Sequence, residues 1–157
     1  MPYLIDGHNV VAQTPGLSLE DPHDEAKLTA LVKRFCARER RAATIIFDGG
    51  LPGGLSSLSN SDVTVIFASD RHTTADDLLL RRIRDEKNPG ELSVVTSDQR
   101  IVNAARGRRM TVIAAAEFGR TLVKVTKAES ATGKERGLSK EEVAEWEALF
   151  RENKEGE

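Results

Sequence analysis

Pro2-Tyr3-Leu4-Ile5, followed at once by Asp6-Gly7, opens the chain. A short apolar run closed by an acidic residue and a glycine reads as a buried strand feeding a turn. Four more runs of this kind follow: Ala43-Thr44-Ile45-Ile46-Phe47, Val63-Thr64-Val65-Ile66-Phe67, Leu92-Ser93-Val94-Val95-Thr96 and Met110-Thr111-Val112-Ile113. The stretches between them read as helices. Residues 25–40 carry Leu28, Leu31, Val32 and Phe35 at helical spacing, and residues 74–86 turn Leu78, Leu79 and Ile83 inward. Shorter helices are predicted over 98–106 and 116–127. Short apolar strands alternating with helices predict an α/β fold in three layers, with a mainly parallel sheet of about five strands flanked by helices. In such a sheet the working crevice lies beyond the carboxyl ends of the strands.

The remaining composition narrows the class. The chain has 157 residues, 39% of them hydrophobic, and a formal net charge of -2 from 23 basic and 25 acidic groups. That is a normal core for one domain, and it argues against a disordered chain or a uniformly basic nucleic-acid binder. The charge is uneven: residues 71–109 carry nine basic and six acidic groups, whereas residues 138–157 carry three and seven. Residues 1–128 are read as the domain. Residues 129–157 are read as a polar linker and an acidic C-terminal helix packed on it. In that tail Ser139 and Glu142 form a capping box between Leu138 and Val143, and Val143, Trp146, Leu149 and Phe150 make an apolar stripe. Residues 49–60, rich in glycine and serine, read as a loop. No run approaches the roughly 20 apolar residues of a membrane span. No basic, apolar leader opens the chain, so a cytoplasmic location is expected. The single cysteine, Cys36, excludes an internal disulfide and a cysteine-based zinc site.

Acidic residues recur where the strands end. Asp6 follows the first, Asp48 the second, Asp70 and then Asp76-Asp77 the third, and Ser97-Asp98 the fourth. Carboxylates gathered on one rim repel one another, and a bound divalent cation removes that cost. Oxygen ligands without cysteine suit Mg²⁺ or Mn²⁺; His8, His23 and His72 lack the spacing of a zinc site. Each aspartate also has a local structural reading. Asp98 suits the cap of the following helix, Asp77 the third position of a box capped by Thr74, and Asp48 and Asp6-Gly7 suit turns. No phosphate-binding loop, dinucleotide fingerprint or serine-nucleophile elbow is present. Arg71, Arg81, Arg82 and Arg100 are candidates for contacting the phosphates of a nucleic-acid backbone.

Leu4-Ile5-Asp6-Gly7-His8-Asn9-Val10 resembles the opening of the NYN branch of PIN-like ribonucleases, in particular the YacP-like family. Thr74-Ala75-Asp76-Asp77-Leu78 is similar to that family's second motif and Val94-Val95-Thr96-Ser97-Asp98 to its third, with Phe47-Asp48-Gly49 as a supporting strand end. The resemblance covers about residues 2–127. The family often has tyrosine at the position of His8. The resemblance implies a PIN-like fold and a metal-dependent endoribonuclease with Mg²⁺ or Mn²⁺ as cofactor. Asp6, Asp76 and Asp98 are then the metal and catalytic set, Asn9 a catalytic partner, and Asp48, Asp77 and Ser97 supporting residues. RNA is the expected partner, either free or presented by a larger particle such as the ribosome. A rival of another class is an RNA-binding adaptor of the same fold without turnover, although a pure phosphate binder gains nothing from clustered carboxylates. A receiver-like signalling domain is a further rival, disfavoured because no lysine follows the fifth strand.

Overall fold

In the computed structural model, residues 2–48, 58–68 and 73–132 are described, with side chains as far as residue 128. The elements run β1 (Tyr3–Asp6), α1 (Gly7–Gln13), α2 (Asp24–Glu39), β2 (Ala43–Phe47), β3 (Val63–Phe67), α3 (Ala75–Asp85), β4 (Ser93–Val95), α4 (Gln99–Gly107), β5 (Thr111–Ile113) and α5 (Ala115–Thr132). All four strand pairings are parallel, in the order β3-β2-β1-β4-β5. The chain builds outward from β1 to β2 and β3, then returns to place β4 on the other side. The strand order therefore reverses between β1 and β4, which is where an open parallel sheet leaves a crevice.

Alternation along the strands divides the core in two. Tyr3, Ile5, Ile45, Val65 and Val95 face α1, α2 and α5; Leu4, Ile46 and Val94 face α3 and α4. Ile5, Ile45, Ile46, Val94 and Val95 are completely buried, as strands covered on both faces require. Tyr3, Phe35 and Phe118 meet edge to face or tilted, with ring centroids 5.2–5.6 Å apart, and tie β1, α2 and α5 together. Cys36 fills space in this core; burial, and then Asp62, pushes its thiol up to about 11 and leaves it inert.

The elements depart from the sequence expectations in places. Asp6-Gly7 is not a turn, because α1 begins at Gly7, directly behind β1. Glycine is needed there: a Cβ on Gly7 would lie 2.4 Å from the Phe47 ring. Asp24 belongs to α2, α3 closes at Asp85, one residue short of the predicted 86, and Pro89–Glu91 form a short 3₁₀ turn. The fifth strand starts one residue after Met110, and α5 runs five residues past the predicted end at 127, through Thr132. Most of the 49–60 loop, Asp70, Arg71, His72 and the tail from 133 onward lie outside the described residues. Among the described residues, no helix is long and apolar enough to cross a membrane.

Candidate active site

The cleft at the switch point is built from the ends of β1, β2 and β4 and the starts of α1 and α3. Asp6, His8, Asn9, Asp48, Asp76 and Asp98 line it, together with Ala12, Leu19 and Ala75, around a volume of about 280 Å³. Three aspartates distant in sequence thus meet in one concavity, and Asp48 joins them.

Asp6 is the most enclosed of the set. It is 7% exposed, and its Oδ2 accepts a hydrogen bond of 3.0 Å from the Thr96 hydroxyl at the end of β4. The Thr96 Oγ1 in turn accepts the Asp98 N–H at 3.1 Å. One hydroxyl therefore fixes two acidic residues across the β1–β4 junction. Burial, and next the nearby Asp76 and Asp98 charges, raise the Asp6 carboxyl to about 6 despite the Thr96 bond. Asp76, in the first turn of α3, is also raised, first by burial and then by Asp98; Arg100, whose Nη2 lies 3.7 Å from Asp76 Oδ2, offsets part of this.

The other members are tied to helix starts. Asp98 caps α4, its Oδ1 accepting the Arg100 N–H at 2.9 Å. It is both a structural cap and a wall of the cleft, so the two readings of this residue are compatible. Asp48 Oδ1 accepts the Ala75 N–H at 3.0 Å and ties the end of β2 to α3. Asn9 Oδ1 accepts the Ser97 N–H at 2.7 Å, and Ser97 Oγ accepts the Ala115 N–H at 3.0 Å. These bonds hold Asn9 and Ser97 as braces between α1, β4 and α5. Thr74 caps α3 by accepting the Asp77 N–H. Asp77 is exposed and does not line the cleft, whereas Asp76 does.

Of the basic candidates among the described residues, Arg100 is the one brought to the acidic cluster. Arg81 and Arg82 are exposed on α3 and do not line the cleft, and Arg71 lies outside the described residues. Some members of the site carry little signal in the sequence. Thr96, a β-branched residue at a strand end, looks like ordinary sheet. Leu19, from the connection between α1 and α2, is 53% exposed at the cleft wall; nothing in the local pattern places it there. His8 shows a similar gap. Histidine spacing gave no partners, yet His8 Nε2 lies 3.2 Å from Glu25 Oε1 and 3.9 Å from Asp24 Oδ2, both on α2. Its ring also lies against Phe47, with centroids 5.1 Å apart. Asp24 is buried, and its carboxyl is raised first by that burial and then by Glu25.

The fold is a fully parallel α/β sheet flanked by helices, with carboxylates at its switch point. The chain matches the model of the YacP-like NYN domain over residues 3–154, and it belongs to that family. The crystal structure of Rae1 (YacP) from Bacillus subtilis is similar, with a TM-score of 0.69, 23% identity, and coverage of 97% of this chain and 89% of that chain. A tryptophan-to-leucine mutant of the same Bacillus subtilis protein gives a TM-score of 0.67 at 19% identity, covering 95% of this chain and 91% of that one. No curated protein matches the chain.

Proposed function

We propose that this protein is a metal-dependent endoribonuclease that hydrolyses RNA phosphodiester bonds in the Asp6–Asp76–Asp98 cleft. The observation that carries this reading is the concentration of carboxyls in the cleft: Asp6 and Asp76 are both raised by burial and by neighbouring carboxylates, and among the described residues Arg100 is the arginine in reach. A structural role alone gives no reason to gather them. The donors are carboxylate oxygens, which suit Mg²⁺ or Mn²⁺. Among the described residues, the histidine and acidic ligand atoms that converge within 4.8 Å are those of His8, Asp24 and Glu25. Asp6, Asp76 and Asp98 are more widely set and would hold an ion partly through water. A divalent ion bound there supplies charge neutralisation at the phosphate and a water of lowered pKa.

The chain's own residues do the positioning. Thr96 holds Asp6 and the Asp98 backbone in fixed relation, so these two acidic groups need no rearrangement when substrate arrives. The Asn9 bond to the Ser97 N–H fixes its amide, leaving the side-chain NH₂ as the donor available to a phosphate oxygen. Arg100 balances Asp76 and is placed to meet the phosphate beside it. Membership of the YacP-like NYN family supports the same reading.

The test is cleavage of an internally labelled RNA by the purified protein with Mn²⁺, with Mg²⁺ and with EDTA. Internal cuts that need the metal are expected. Undiminished cutting in EDTA, or RNA binding with no cutting in either metal, would overturn the proposal, the latter in favour of an adaptor.

A further inference from the structure

An acidic cleft repels the polyanion that it is proposed to cut, so the grip on the strand has to come from elsewhere. A groove of about 450 Å³ runs along α5, with Pro15 and Val123 on its walls. Arg120, Lys124 and Lys127 line it, and among the described residues Glu117 is the one acidic group in the lining. Steps of four and three residues put the three cations on one helical face over ~10 Å. All three are exposed, and none has an ion-pair or hydrogen-bond partner for its side chain among the described residues.

The cleft and the groove adjoin along one short helix. His8, Asn9 and Ala12 of α1 line the cleft, while Pro15, three residues beyond Ala12 and just past the helix end, lines the groove. The contact that sets α5 against this end is close: a Cβ on Gly119 would lie 2.6 Å from Thr14 Oγ1 and 2.9 Å from Thr14 Cα. Arg120 is the next residue, so its position relative to α1 is fixed by backbone packing.

We infer that the Arg120–Lys124–Lys127 groove is a second RNA-binding site, which holds phosphates of the strand a short distance from the bond being cut. This rests on the ribonuclease reading for its ligand class. The charge complementarity is direct: three cations and one carboxylate meet a phosphodiester backbone. The helix covers the span of more than one phosphate, and the aliphatic stems with Val123 and Pro15 give the sugars an apolar floor.

The experiment measures binding of the full chain to a fluorescent unstructured 20-nucleotide RNA in EDTA, over a salt series. The wild type is compared with R120Q/K124Q/K127Q and with a control that neutralises three cations away from the groove, Arg38, Lys87 and Arg106. Each cation on a single-stranded phosphate contributes about -0.7 to the slope of log K against log salt. The groove variant should therefore lose about 2 from that slope and bind at least tenfold more weakly at low salt, with the control close to wild type. An unchanged slope in the groove variant, an equal loss in the control, or no RNA binding by the wild type would overturn the inference. Unchanged RNA binding with a lowered melting temperature in the groove variant would overturn it too, and would give the groove to an acidic protein segment such as residues 138–157. Binding is read without turnover. Cleavage that persists beside an unchanged slope thus refutes this site alone, and a lowered slope without metal-dependent cleavage refutes the nuclease alone.

Discussion

Asp6 carries its charge at a cost that the metal-free protein cannot relieve. Its folded carboxyl titrates near 6 against 3.8 for the ordinary side chain. Between those values the folded state binds more protons than the unfolded state, so stability falls as pH rises through that window. Two units correspond to about 2–3 kcal/mol. In metal-free protein Asp6→Asn should remove this fall and raise stability at pH 7 by up to that amount, read by urea denaturation at pH 4 and pH 7. The same variant should lower cleavage by about a hundredfold or more, the scale for losing a preorganised charge at a reaction centre. Stability unchanged at both pH values would show that Asp6 is not strained. Thr96 makes a complementary case. Thr96→Val leaves both Asp6 Oδ2 and the Asp98 N–H without this partner; a cost of about 1–3 kcal/mol and a loss of turnover are expected. Thr96→Ser should recover both, and a valine variant as stable and active as wild type would remove Thr96 from the site.

At the scale of elements, the strands were legible and α1 was not. β1, β2 and β3 are short runs rich in apolar and β-branched residues with glycine or aspartate close behind, a pattern that needs no tertiary information. Residues 7–13 start with glycine, histidine and asparagine and make only two turns. A helix that short is marginal by propensity, and packing against α2 and α5 decides it. The packing is tightest at its first residue. Gly7→Ala drives a methyl into the Phe47 ring and the Ile46 carbonyl, and should cost about 1–3 kcal/mol. Gly107→Ala, where an added Cβ meets nothing within 4 Å, should be neutral or slightly stabilising by about 0.4–1 kcal/mol. Thermal denaturation of the pair checks the contrast; equal melting temperatures would contradict the close approach of β1, α1 and β2. Because His8 and Asn9 follow Gly7 directly, Gly7→Ala should also reduce activity more than its loss of stability alone explains.

For the whole molecule, the site was legible as a set and not in its detail. Asp6, Asp76 and Asp98 could be chosen because parallel strands end on one side, so the residues after them must share a rim. The choice of Asp76 over Asp77 followed from helix capping, and Thr74 does cap α3. Charge is visible in a sequence and direction is not: Arg81 and Arg82 stand on α3 outside the cleft lining, and among the described residues Arg100 is the candidate that reaches the cluster. The groove on α5 went unread for the same reason, since three cations among ordinary surface residues acquire meaning only beside Pro15 and the end of α1. The central claim is that the carboxylate cleft cuts RNA with a metal. It is tested most directly by comparing wild type with Asp76→Asn for cleavage of one RNA in Mn²⁺ and for binding of the same RNA in EDTA. Asp76 is half-exposed and outside the apolar core, so the variant should fold normally. The account predicts that cutting is lost by about a hundredfold or more while binding is kept or slightly tightened. Cutting by Asp76→Asn at the wild-type rate would contradict it.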